Sequence, residues 1–297
     1  MAGTRQIQRR LKAVNNIGRV TRTMEMISTA KYKAYHNRRK AAVEYHNALA
    51  QIGYLLTTPQ KPIDHPLLRE NKSGRMAIFA IGSTRGLCGS YNDQIYRIVD
   101  ANIQNASLLG KELDIYAAES RLINTFNYHR IKLQKKYSNT DEILASGQLD
   151  EIANYFIEQY MAGLINRFGI VYMRYYSASS QRPETLSILP LTELISDLTI
   201  RSTIIWPWKY TFEDFYLSPS ASEIIKSLAR IIMRSSIETC LMDAALSEHL
   251  ARMIAMRNAT ENAEDMTKEL TNDYNRARQG QITSELLDII SGTGDLR

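Results

Sequence analysis

The stretch IGSTRGLCGSYN, residues 81–92, has the composition of a phosphate cradle, with Gly82, Gly86 and Gly89 set between an apolar run and a helix-type segment. A Walker loop needs G-x-x-x-x-G-K-[ST] and a dinucleotide fingerprint needs G-x-G-x-x-G; these glycines fit neither spacing, and no lysine follows them. Arg85, Gly86, Leu87, Cys88 and Gly89 are therefore expected to form a tight turn that needs positive φ, with Asn92 capping the next helix. Ser247, Glu248 and His249 are the residue types of a nucleophilic triad, but neighbours on a helix point in different directions and cannot assemble one. Glu248 and Arg252, at i and i+4, face one another as a helix-surface pair. The five histidines (His36, His46, His65, His129, His249) contain no pair at metal-ligand spacing. Cys88 and Cys240 are too few for a disulfide framework or a four-thiolate zinc site. The expectation is a chain with no catalytic residues, no cofactor and no metal of its own.

The elements that carry these residues point to mechanics instead. With 44% hydrophobic and 23% charged residues, the 297-residue chain can bury a sizeable core. No run approaches the ~18 apolar residues of a membrane span, and MAGTRQIQRRLKAV has charges where a signal peptide places its apolar core. All seven prolines fall between Pro59 and Pro219, so both ends are free of the strongest helix breaker. Three regions follow: an N-terminal helix (1–58), a central domain (62–217) and a C-terminal helix (220–297), which Pro219 and a Ser220–Glu223 capping box open.

Apolar residues recur at three- and four-residue steps in both end segments. In the first they are Ile7, Leu11, Val14, Ile17, Val20, Met24 and Ile27; in the last the stripe is Met253, Met256, Thr260, Ala263, Thr267, Leu270, Tyr274 and Ala277. The period is that of a coiled coil, although the second stripe is small and partly polar. Helices over 5–56 and 221–290 would run roughly 78 Å and 105 Å, against ~30 Å for a small domain, so they must pair, and pairing within one chain costs the least entropy. An antiparallel two-helix coiled coil is predicted. Its C-terminal partner is expected to overshoot by the segment 277–297, leaving Ile282, Leu286, Leu287 and Ile290 for another protein to cover.

Charge agrees with the pairing. Residues 1–60 hold eleven basic against two acidic groups, net +9, and residues 248–297 hold six against nine, net −3. The basic groups are spread around the helix and lack interleaved aromatics before Tyr32, so an acidic protein partner is expected and nucleic acid is not. In the middle, strand-type runs at 75–83, 112–118, 169–178 and 184–191 alternate with helical stretches near 92–105, 119–130 and 147–167. That alternation predicts a small Rossmann-like α/β domain with a largely parallel sheet, and hence an α/β and α+β mixture overall.

Three segments, RQIQRRLKAVNNIGRVTRTMEMISTAKY, RGLCGSYN and ALSEHLARMIAMRNATENAEDMTKELTNDYNRARQGQITSELLDII, resemble the gamma subunits of F-type ATP synthases. The resemblance covers both terminal helices and touches the middle domain at the glycine-rich loop. It implies a central rotor: the coiled coil stands inside a hexamer of three alpha and three beta subunits, while the domain, with the epsilon subunit, sits on the membrane c-ring. ATP, ADP and Mg would then be bound by the alpha and beta subunits, and the complex would lie peripherally on the cytoplasmic face of a bacterial inner or internal energy-transducing membrane.

By the same resemblance, Arg278 and Gln279 match the contact to the beta-subunit catch loop. Met24, Arg22 and Lys31 lie where the beta subunits' acidic lever passes, and Glu248 and Arg252 lie on the helix opposite. The small, polar seam, with charges outside and no greasy flanks, would suit a shaft that must not stick to its bearing. Thr84 departs from the aspartate usual before the loop. Two other readings account for part of the sequence: a coiled-coil scaffold that dimerises alone, and a small α/β nucleotide-binding enzyme with helical arms. Neither predicts the three matched segments together.

Overall fold

The computed structural model describes residues 2–57, 65–137, 140–145, 147–201, 218 and 220–294. The sequence boundaries at 58, 62 and 217, and Pro219, lie outside them. The chain forms two compact units: Met1–Ala30 with Arg252–Arg297, and Lys31–Ala251. These units divide helix α1 (Ala2–Thr57) and helix α7 (Ala221–Gly294) part-way along, where the sequence segmentation follows the helix ends.

In the first unit α1 and α7 are antiparallel. Thr4 reaches Gln281, Asn15 reaches Thr267, Arg22 reaches Glu264 and Glu25 reaches Arg257, so one index falls as the other rises. On α7 the predicted stripe faces inward: Met256, Thr260 and Ala263 are buried, and Met253, Thr267, Leu270, Tyr274 and Ala277 are partly buried. On α1 the inward stripe is Ile7, Leu11, Val14, Gly18, Thr21, Glu25 and Ser28, a strict heptad alternation.

Ile17, Val20 and Ile27, expected in that seam, are more than half exposed. With partly buried Met24 they share a face about 100° round from the seam, given 100° per residue. The helix pair therefore has an apolar flank, contrary to the expectation of charges alone on its outer face. The reason is close approach: a Cβ built on Gly18 would lie 3.4 Å from the Cβ of Ala263, so small residues let the helices draw together there and push the larger ones to the side. Threonines elsewhere on the pair are tolerated because Thr23, Thr29, Thr271 and Thr283 donate to carbonyls four residues back.

The second unit is built on a five-stranded sheet of order β3-β2-β1-β4-β5. Strands β1 (Arg75–Ile81), β2 (Glu112–Ala118), β3 (Lys135–Tyr137) and β4 (Arg167–Ser177) are mutually parallel, and β5 (Ser180–Leu189) returns antiparallel on β4. Period-two alternation in β1 fills two cores. Ala77, Phe79 and Ile81 face α5 (Gln148–Met161), α6 (Leu191–Arg201) and the α7 residues Ala229, Ile232, Met233, Ile237 and Leu241. Ile78 and Ala80 face α2 (Tyr91–Leu108) and α3 (Ser120–Tyr128). A short helix α4 (Thr140–Ala145) follows β3. Between Ala229 and Leu250, α7 is thus a core helix of the domain.

Candidate functional site

The glycine-rich loop after β1 is a hydrogen-bonded turn. Leu87 and Gly89 have φ of 63° and 62°, so the positive φ falls partly on a leucine. Gly82 is required for another reason: a Cβ there would lie 2.2 Å from the Cβ of Leu122. Asn92 is not the helix cap. It is the second residue of α2, after Ser90, and is buried: its Oδ1 accepts from the Ser83 amide at 3.0 Å and its Nδ2 donates to Ser83 Oγ at 2.8 Å. Cys88 is buried with its thiol 3.5 Å from Ser83 Oγ, and Leu87 is exposed.

Thr84 lies between two carboxylates. Its hydroxyl donates to Glu119 at 2.7 Å, and its amide donates to Glu248 Oε2 of α7 at 3.3 Å. Glu119, buried and held at φ 80°, also accepts from the amide and hydroxyl of Thr140, which ties α4 to the loop. Sequence reasoning overlooked Glu119 because a lone glutamate after a strand carries no spacing signal.

The candidate coupling residues are placed as follows. Arg22 is exposed and bonds Glu264 at 2.6 Å, and Lys31 lies 3.6 Å from Asp141. The same Asp141 accepts from Tyr35, whose ring stacks on His249 at 5.6 Å. Tyr35 and then Lys31 favour the Asp141 carboxylate and hold its pKa below the ordinary value, while burial and that bond push the Tyr35 hydroxyl upward. Glu248 and Arg252 are both buried, so the solvated surface pair expected from sequence is not what the fold makes of them. Arg278 and Gln279 are exposed on α7. Beyond Gln281, which meets Thr4 of α1, Ile282, Leu286 and Leu287 are exposed. The side chain of Ile290 lies outside the described residues.

Asp243 is a buried carboxylate held in an ion pair. Arg39 of α1 bonds Asp243 of α7 and lies 5.4 Å from the Tyr175 ring centroid. Burial raises the Asp243 carboxyl and Arg39 opposes that shift. Beside it, Tyr32 and Tyr175 share a 2.9 Å hydroxyl contact, and burial followed by that bond pushes Tyr175 up to about 12. Among the described residues no group of acidic, histidine or cysteine side chains is placed to hold a metal. Nor is any described helix long and apolar enough to cross a membrane.

Comparison with known proteins decides the family. The family model described as ATP synthase matches residues 3–296. A curated ATP synthase gamma chain from Leptospira biflexa is 33% identical over 293 residues, covering 98% of each chain. The chain belongs to the ATP synthase gamma-chain family. Another gamma chain, from Rhodopirellula baltica, is also 33% identical over 98% of both chains. In fold, this family member is similar to a chain of the Euglena gracilis mitochondrial ATP synthase (OSCP/F1/c-ring, rotational state 3), with a TM-score of 0.69 and 18% identity over 99% of this chain and 95% of that one. The long helix pair and mixed sheet are therefore those of the gamma-chain fold.

Proposed function

We propose that this chain is the central-stalk rotor of an F-type ATP synthase, turning within an alpha3-beta3 hexamer to couple ion flow through a membrane ring to ATP synthesis or hydrolysis. Family membership supports the subunit assignment, and the helix pair of the first unit carries the mechanical reading. A seam of Gly18, Thr21, Thr260 and Ala263 locks the two helices closely. The apolar flank Ile17, Val20 and Ile27 is left outward, where a surrounding sleeve of subunits would cover it. This reverses the expectation that a greasy flank would stick: apolar contact is non-directional, so such a flank can slide where fixed hydrogen bonds would hold.

In this reading ATP, ADP and Mg bind to the alpha and beta subunits, and no residue here performs nucleotide chemistry. Arg278 and Gln279 face the beta catch loop, making charge-assisted and neutral hydrogen bonds that form and break on turning. Met24, Arg22 and Lys31 lie on the path of the acidic lever. Since Arg22 and Lys31 are already paired with Glu264 and Asp141, the lever must compete for them, which suits a transient contact. Glu248 and Arg252 tune coupling from the opposite helix. The loop Arg85–Gly89 belongs to the domain end, which with epsilon rests on the c-ring, so the chain is peripheral to the cytoplasmic face of a bacterial energy-transducing membrane.

Native mass spectrometry of the chain co-expressed with alpha and beta subunits from the same source tests this directly. One copy per alpha3-beta3 hexamer, with ATPase activity lost on deleting residues 277–297 and reduced by Arg278→Ala, is the expected result. A homodimer that ignores both partners would support a scaffold instead.

A further inference from the structure

In this sheet β2 and β3 lie on one side of β1, and β4 and β5 on the other. At such a switch point an open α/β sheet has a crevice at the carboxyl ends of its strands, and ligands bind there with their anionic groups held by loop amides. The loop after β1, residues 82–90, stands at that position, and a helix of the same chain lies against it. The Tyr91 hydroxyl donates to the carbonyl of Ala244 at 3.0 Å, and one turn further along α7 Glu248 accepts from the Thr84 amide at 3.3 Å. Ala251 packs on the cluster that contains Cys88 and Tyr91.

The two amides before that of Thr84 are spent inside the sheet domain, whereas the Thr84 amide turns to α7. The Gly82 amide donates to Ala118 and the Ser83 amide to Asn92, both within the sheet domain. Thr84's hydroxyl is spent on Glu119. Its amide goes to a carboxylate that is 5% exposed and arrives from a sequence distance of 164 residues.

We propose that Glu248 is a built-in ligand: its carboxylate fills the oxyanion subsite of the loop after β1 and so fastens α7 to the sheet at the switch point. The loop lacks the glycine spacing of a phosphate cradle but offers the Thr84 amide at the switch point, and that amide is satisfied from within the chain. An emptied subsite should accept a small carboxylate. This inference concerns the domain alone and does not require that the chain rotate.

Amide exchange in the full-length chain tests it. Glu248→Ala should accelerate exchange at Thr84 about tenfold, because a buried bond to a charged acceptor is lost. Adding about 100 mM acetate should restore most of the protection, whereas equal chloride should not. Unchanged exchange at Thr84, or equal effects of acetate and chloride, would overturn the proposal. If circular dichroism shows Glu248→Ala to be unfolded, Glu248→Gln decides. Its uncharged amide oxygen is the weaker acceptor, so exchange at Thr84 should rise about threefold while Ile78 to Ile81 stay protected. Wild-type exchange in that folded variant would refute the subsite.

Discussion

The hydroxyls of Thr21 and Thr260 lie 2.8 Å apart, buried between antiparallel helices whose residues are 239 positions apart in sequence. Each hydroxyl also donates to, or lies within bonding distance of, a carbonyl of its own helix, Gly18 for Thr21 and Met256 for Thr260. The polar seam is thus satisfied rather than merely tolerated, and it fixes register in a way that apolar residues of the same size would not.

Larger side chains at this level should be destabilising. Ala263 sits against Gly18, so Ala263→Leu and Thr260→Leu force the helices apart and should each cost about 1–3 kcal/mol in urea denaturation. In the assembled complex both should lower coupling. Unchanged turnover and coupling in either variant would remove the mechanical role assigned to the close seam.

The Arg39–Asp243 pair gives a second expectation. Asp243 is 2% exposed, so Arg39→Met strands a buried carboxylate and should cost about 3–5 kcal/mol. The double variant Arg39→Met, Asp243→Leu should recover most of that loss, since an apolar pair needs no desolvation. Urea denaturation midpoints of the three proteins check this; a double variant no better than the single would mean that lost packing, not charge, dominates.

Acid should weaken the domain through His46. Burial lowers its pKa from the ordinary 6.5 to about 4, while Nδ1 stays 3.1 Å from Ser235 Oγ. Because the folded-state pKa is the lower one, the unfolded chain binds the proton first. The contribution is complete above pH 6.5 and is lost as pH falls from 6.5 to 4, on the order of 3 kcal/mol in all. His46→Gln should flatten that part of the stability–pH curve between pH 7 and 5. An equal slope in both proteins would place the acid sensitivity elsewhere.

At Thr84, where the family resemblance implies an aspartate, the observed bonds suit a hydroxyl. Its hydroxyl donates to Glu119 while its amide serves Glu248, so Thr84→Asp would set a third carboxylate between two others. Thermal denaturation at pH 7 should show a loss of about 1–3 kcal/mol, partly relieved by Glu119→Gln and by lowering the pH, where a repelled carboxylate protonates. Wild-type stability in Thr84→Asp would show that the loop tolerates an acid there.

Much of this fold was legible in the sequence. The proline-free ends and the three- and four-residue periodicity predicted both long helices and their antiparallel pairing, and the Ser220–Glu223 cap forms at 3.3 Å. Ile17, Val20 and Ile27 were misassigned because apolarity was equated with burial, and nothing in one helix reveals that Gly18 meets Ala263. β3, three residues of Lys-Lys-Tyr, has no alternation to detect, and α4 is only six residues long. The coiled-coil expectation for 220–297 fails between Ala229 and Leu250 because buried residues there occupy nearly every face, the pattern of a helix buried in a domain. The candidate site was the least legible part. Glu119 and Glu248 come to Thr84 through tertiary contacts that no local spacing encodes.

The central claim is that the chain turns. With the beta subunits of the assembled complex fixed to a surface and a bead attached to the sheet domain of this chain, ATP should drive bead rotation in one sense, stopping when ATP is withdrawn. ATP hydrolysis by a complex that contains the chain but leaves the bead stationary would contradict the account.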